Sequence, residues 1–116
     1  MPEAKIAMSV REPATGFKVI DIEGELTAFC EPILTEAYGQ ADQAGVKRIV
    51  LNFERLGYMN SGGIGLLVTV LIRAQRKNQR LAAYGLTDHY REIFSLTRLD
   101  EAITIFDDEA AAISAA

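Results

Sequence analysis

An α/β fold with a mixed, mostly parallel five-stranded sheet is what this sequence predicts, and three observations predict it. Runs rich in Val, Ile and Leu alternate with segments whose apolar residues recur every three or four positions, the pattern of strands joined by crossover helices. The run "RIVLNF", Arg48 to Phe53, is rich in Val, Ile and Leu, as a parallel strand covered on both faces must be. Two β-rich runs at the start, separated by a few turn residues, add a hairpin and with it one antiparallel pairing. The expected order is β-β-α-β-α-β-α-β-α. About four helices should lie mainly on one face, because a chain of 116 residues is too short to cover a five-stranded sheet fully twice.

Each element has its own signal. Ile6, Met8 and Val10 alternate with polar neighbours, Glu12 to Gly16 carry turn residues, and Phe17 to Ile22 form the second run. From Glu31 the period changes. Pro32 suits a first helical turn, Leu34, Ala37, Ala41 and Ala44 recur at steps of three and four, and Gly45 fits the stop. Arg48 to Phe53 is the third strand. Ile64, Leu67, Val68 and Leu71 share one helical face, so the second helix runs from about Ser61 to Lys77. "RLAAYGL" is the fourth strand, Thr87 or Asp88 caps a third helix with Tyr90, Ile93 and Phe94 facing inward, and "AITIF" is the last strand. Asp107, Asp108 and Glu109 place negative charge at the start of a final helix, whose Ala-rich tail from Ala110 is open to fraying.

Composition narrows the function. A 49% hydrophobic content supports one packed core, hence one domain over residues 1–116. No stretch of about 18 apolar residues is present, and Glu3, Lys5, Arg11 and Glu12 interrupt any secretory signal. The expectation is a cytoplasmic protein without a membrane partner. The net charge of −4 argues against nucleic acid and anionic lipid. The cluster Arg73, Arg76, Lys77 and Arg80 reads as a solvated helix end. Cys30, the single cysteine, makes no internal disulfide or cysteine zinc site and is expected to be small and partly buried.

In open sheets of this kind, sites form beyond the carboxyl ends of parallel strands. Two loops qualify: "GELTAFCEP", Gly24 to Pro32, and "ERLGYMNSGGIG", Glu54 to Gly65. If their strands are neighbours, Glu25, Thr27, Phe29, Tyr58, Asn60 and Ser61 share one surface. Several chemistries fail on spacing. The second loop has no lysine for a phosphate-binding loop, Val68 stands where a dinucleotide fingerprint needs its third glycine, and Met59 replaces the first glycine of a nucleophile elbow. His89, the only histidine, belongs to a helix start and is read as exposed or capping. No catalytic residue, metal ligand or cofactor site is assigned. Asn60 or Ser61 suits a helix cap, but capping leaves Gly62, Gly63 and Gly65 unexplained, since glycine in a helix interior costs up to about 1 kcal/mol relative to Ala. Small residues here are expected to keep the surface around the hydroxyl open to another protein. Leu66 and Val70, off the inward stripe, either pack against a neighbouring helix or form an apolar patch beside Ser61.

Three stretches in order resemble one family. "GELT", "IVLNFERLGYMNSGGIGLL" and "YREIFSLTRLDEAITIF" are similar to segments of the STAS domain, and within it of the bacterial anti-sigma factor antagonists, over nearly the whole chain. The resemblance implies that Ser61, aligned with the first serine of the family's D-S-[ST]-G motif, is phosphorylated. It implies an anti-sigma factor that is itself an ATP-dependent kinase, and a metal-dependent serine phosphatase that reverses the change. The unmodified form would bind the anti-sigma factor and free a sigma factor, with Glu25, Thr27, Phe29, Tyr58, Asn60, Gly62, Gly63 and Leu66 as the partner surface. Such a protein is no enzyme, and is expected as a monomer or weak dimer. Asn60 stands where the motif has aspartate, and Gly62 where it has a second hydroxyl residue. The alternative is a STAS scaffold or subunit of a signalling assembly or a lipid-transport ATPase, using the same surface without phosphate.

Overall fold

The computed structural model describes residues 5–114. Strands β1 (Ile6–Ala14) and β2 (Phe17–Leu26) form the hairpin, turning at Gly16, whose φ of +87° suits glycine. Helix α1 (Glu31–Ala41) leads to β3 (Arg48–Met59), then come α2 (Ser61–Arg76), β4 (Arg80–Tyr84), α3 (Asp88–Leu96), β5 (Ile103–Phe106) and α4 (Glu109–Ser114). The five strands lie in sequence order; β1 is antiparallel to β2, and all later pairs are parallel. The expected mixed sheet is therefore present, with four helices. No described helix is long and apolar enough to cross a membrane.

The period of two along each strand divides the interior in two. Ile20 and Ile22, Ile49, Leu51 and Phe53, Leu81 and Ala83, and Ile103 point to one face, where they meet Leu34 and Tyr38 of α1, Leu66, Leu67, Val70 and Ala74 of α2, and Phe94 of α3. Val19, Val50, Ala82 and Tyr84 point the other way, against Ala112 of α4. Three helices cover one face and the short α4 part of the second, so β3 is covered on both sides, as its composition requires.

Several boundaries differ from expectation. α1 ends at Ala41 rather than at Gly45, because Asp42 is drawn out of the helix: its carboxylate accepts from Gln79 Nε2 at 2.8 Å and pairs with Lys77. β1 runs on to Ala14, β2 to Leu26 and β3 to Met59, so much of the two expected loops is strand. Pairing with β2 through two irregularities holds Arg55 to Met59 extended despite Gly57. The inward face of α2 is Gly63, Leu66, Leu67, Val70 and Ala74, leaving Val68 outside; α1 packs beside α2, and Leu66 and Val70 share the main core cluster with its Leu34 and Tyr38. Cys30 is fully buried rather than partly. The Ala-rich segment is helical to Ser114, and Ala115 and Ala116 lie outside the described residues.

A polar chain crosses the second face and ties α4 to it. Asn52 Nδ2 donates to Asp21 at 2.7 Å, Arg11 donates to Asp21 at 2.5 Å and to Glu109 at 2.6 Å, and the Tyr84 hydroxyl donates to Glu109 at 2.9 Å. Arg48, only 7% exposed, lies between the Phe17 and Phe106 rings and donates to the Ala112 carbonyl at 2.7 Å. The hydrogen bonds from Arg11 hold the Asp21 and Glu109 carboxyls below their ordinary range, against the opposing effect of burial. A carboxyl with a depressed folded pKa adds stability above its unfolded pKa and loses it as pH falls through the folded one. Arg11→Met should therefore destabilise the protein by about 1 kcal/mol at neutral pH, the modest scale of a partly exposed pair. Urea unfolding should show that difference shrinking as pH falls from about 5 to about 3. A difference unchanged at acid pH would assign the effect to packing of the Arg11 stem instead.

Candidate functional site

The site is built where β2 and β3 end side by side. Their register pairs Glu25 with Tyr58 and Leu26 with Met59. Beyond Leu26 the chain enters a short 3-10 turn, Ala28–Cys30, before α1; beyond Met59 it enters α2 after a single residue, Asn60. The two exits touch. The Asn60 amide donates to the Leu26 carbonyl at 3.3 Å, and a Cβ on Gly62 would lie 3.0 Å from Ala28. A Cβ on Gly63 would lie 2.2 Å from the Leu26 oxygen, closer than any side chain tolerates. Gly63 is thus glycine because the first turn of α2 rests on the end of β2, a reason internal to the fold and different from the open outer surface expected of it.

Side chains brace both exits. Thr27 Oγ1 accepts from the Phe29 amide at 3.3 Å, and the Cys30 thiol donates to the Glu25 carbonyl at 3.2 Å, so Cys30 fastens the loop from within. The Met59 amide donates to the Tyr90 hydroxyl of α3 at 2.9 Å. Asn60, not Ser61, is the cap of α2: its Oδ1 accepts from the Gly63 amide at 3.0 Å. Ser61 is consequently the first residue of the helix. It is exposed, and its hydroxyl makes no hydrogen bond with any described residue.

Of the residues singled out in the sequence, Glu25, Phe29, Tyr58 and Ser61 are exposed, with Phe29 at 63% and Tyr58 at 48%; Thr27, Asn60 and Gly62 are half-buried. Gly63 is buried and Leu66 is only 8% exposed within the main core, so neither presents a side chain to a partner. Gly65, Val68 and Ile72 are exposed on the outer side of α2; sequence reasoning expected Gly65 on an open surface but turned Val68 inward and left Ile72 unassigned, although the spacing of all three from Ser61 at steps of four and three was the signal for the face. His89 lies exposed in the first turn of α3, against the Tyr90 ring. Among the described residues, no three His, Cys, Asp or Glu side chains are placed to hold a metal ion. The arrangement is an open patch of apolar rings, one hydroxyl and a helix N-terminus, with no acidic residue in that helix's first turn. Its chemistry is that of a contact surface whose charge a modification of the hydroxyl would change.

A family model described as "Mlab, STAS domain" matches residues 12–106. The anti-sigma-B factor antagonist of Staphylococcus aureus is 31% identical over 85 residues, 73% of this chain and 79% of that protein. Its counterpart in Listeria monocytogenes is 29% identical over 102 residues, 86% of this chain and 88% of that one. The solved structure of the Bacillus cell fate determinant SpoIIAA in the phosphorylated form, 25% identical, matches with a TM-score of 0.70 over 92% of this chain and 96% of that one. An anti-sigma factor antagonist from Mycobacterium paratuberculosis, 18% identical, shares the fold with a TM-score of 0.78 over 94% and 92% of the two chains.

The glycines of α2 have opposite roles that stability measurements separate. Gly63→Ala should destabilise by about 1–3 kcal/mol through overpacking against Leu26. Gly65, whose φ is not positive and whose Cβ would meet nothing within 4 Å, should gain up to about 1 kcal/mol on becoming Ala. Asn60→Ala should lose about 1 kcal/mol and Asn60→Asp much less, since Asp caps equally well. Thermal and urea midpoints check all four, and a destabilised Gly65→Ala would contradict the geometry.

Proposed function

We propose that this chain, which belongs to the STAS-domain family and within it to the anti-sigma factor antagonists, works as a binding surface switched by phosphate on Ser61. Unmodified, it binds an anti-sigma factor that is also an ATP-dependent serine kinase, and a sigma factor is released. Phosphorylation of Ser61 by that kinase ends the contact, and a metal-dependent serine phosphatase restores it. The exchange takes place in the cytoplasm, and the domain is regulatory rather than catalytic. The observation that carries this reading is the Ser61 hydroxyl itself, exposed and without a hydrogen bond to any described residue at the first position of α2, where the exits from β2 and β3 that carry Phe29 and Tyr58 meet.

The energetics support a switch. A phosphoserine carries about −1.5 to −2 charges at neutral pH, and at a helix N-terminus the free amides and dipole tolerate it, so the monomer stays folded. Within a complex the same charge is desolvated with no cation among the site residues to meet it, a penalty of several kcal/mol. A loss of about 3 kcal/mol weakens binding more than a hundredfold. A relative solved in its phosphorylated form is consistent with this chemistry.

A second reading is favoured by Asn60, the uncharged residue in the motif's acidic position: a scaffold or subunit of a signalling assembly or lipid-transport ATPase, using this surface without phosphate. Recovery of wild type, Ser61→Ala and Ser61→Glu from cells, followed by mass spectrometry of what accompanies them, decides between the two. A kinase-like ATP-binding protein should accompany wild type and Ser61→Ala but not Ser61→Glu, with circular dichroism the same for all three. Equal recovery with all three, and no phosphate on Ser61, would favour the second reading.

A further inference from the structure

We propose that the partner lies along the outer face of α2, from Ser61 through Gly65, Val68 and Ile72 to Arg76, and that it presents an apolar strip ending in carboxylates. This rests on Ser61 being the switch and extends that reading from one residue to a whole helix face. At 3.6 residues per turn, Ser61, Gly65, Val68 and Ile72 fall within about 60° of one another, along a line about 16 Å long. Val68 is 37% and Ile72 44% exposed, on the side opposite Leu67, Val70 and Ala74. Together with Phe29 and Tyr58, which lie on the strand exits at the start of α2, they are four of the five large apolar side chains exposed among the described residues, more than the scatter of single exposed apolar residues that is ordinary on a surface.

Gly65 separates a docking face from a chance pair of exposed apolar residues. It sits in the helix with no positive φ and no neighbour within 4 Å of a built Cβ, whereas Gly63 two residues earlier is forced by Leu26. Glycine weakens a helix relative to alanine, and nothing in this chain requires it at position 65. Close approach of a second molecule to the helix backbone at this position would account for it.

Charge sets the partner's chemistry. Arg73, Arg76 and Lys77 close the helix and Arg80 follows, in a chain whose net charge is −4. Arg73 stacks over the Tyr38 ring and Lys77 pairs with Asp42, while Arg76 is exposed and makes no ion pair with a described residue. The matching surface is therefore acidic at this end. A second copy of the chain fits less well, because the same faces brought together set these cations against each other or against the positive end of the opposing helix.

The kinase-like protein recovered with wild type, once purified, is titrated by calorimetry into wild type, Ser61→Glu, Gly65→Ala, Val68→Asp, Ile72→Asp and Arg76→Glu. Gly39→Ala serves as control, since Gly39 in α1 is also exposed with nothing near its Cβ. Circular dichroism and thermal midpoints establish that each variant folds. Val68→Asp and Ile72→Asp should each weaken binding by about tenfold or more, and Gly65→Ala by about tenfold despite a higher midpoint. Arg76→Glu should bind more weakly and with less dependence on salt, while Gly39→Ala should match wild type. If Ser61→Glu loses binding but the Val68 and Ile72 variants do not, the track along α2 is wrong and the switch stands. If Ser61→Glu binds like wild type, or no kinase-like protein is recovered, the switch itself fails and this inference with it. Light scattering that shows a wild-type dimer broken by Val68→Asp, with partner affinity unchanged, would assign the face to a second copy and overturn the proposal.

Discussion

The contact on which the rest depends is the seat of α2 on β2. Removing one side chain, at Gly63, lets the helix backbone come against the Leu26 carbonyl, and the Asn60 amide hydrogen-bonds to the same oxygen. One carbonyl thereby fixes where α2 starts and which way it leaves the sheet. Ser61 is exposed as a consequence: with Asn60 supplying the cap and Gly63 turned inward, position 61 must point away from the strands. The hydroxyl needs no partner of its own because the cap has already met the helix's most pressing unsatisfied amide. The same seat orients the whole helix, so the outward line through Gly65, Val68 and Ile72 is set at its first turn.

The sheet's two faces divide the labour. The face under α1, α2 and α3 carries most of the apolar core, including the edge-to-face contact of Phe53 with Phe94 at 6.2 Å. The opposite face relies on few apolar residues and on ions: Arg48 held between two aromatic rings, and the Asn52–Asp21–Arg11–Glu109–Tyr84 chain across four strands and α4. The candidate surface lies at the strand ends, away from both. A charge added at Ser61 therefore need not disturb either core, the property a reversible mark requires.

Much of this was legible in the sequence, for physical reasons that also explain the failures. Alternation of periods two and 3.6, the apolar third strand and the acidic start of the last helix are local signals, and the structure contains each. The end of α1 was misjudged because Ala44 and Gly45 form a good local stop, whereas Gln79 and Lys77, far along the chain, pull Asp42 out of the helix earlier. The extension of β3 to Met59 was hidden by Gly57 and Asn60, which read as turn residues until β2 offers a pairing edge. In the site, loop logic alone placed Glu25 and Ser61 on the surface; it left Phe29 and Tyr58 open between packing and exposure, and both are exposed. Of the two placements open for Leu66 and Val70, packing against a neighbouring helix is the one found, so Leu66 is lost from the partner surface. Val68 was misassigned to the inward face because the inward side of a helix depends on its neighbours, here α1 beside α2, which set a rotation that hydropathy along one helix does not determine.

That rotation bears on how such a surface evades aggregation. Exposed Val68 and Ile72 would be a liability on a strand edge, where free backbone groups recruit further chains; on a helix the backbone is already satisfied, and only side-chain contact remains to be offered. Cations at the helix's end bias that contact toward an acidic partner, and the hydroxyl at its start makes the contact revocable. Apolar area supplies attraction without much selectivity, whereas the flanking charges supply selectivity without much attraction. A helix that carries the three in series, on the one side its own fold leaves uncovered, has the chemistry of a reversible and selective contact.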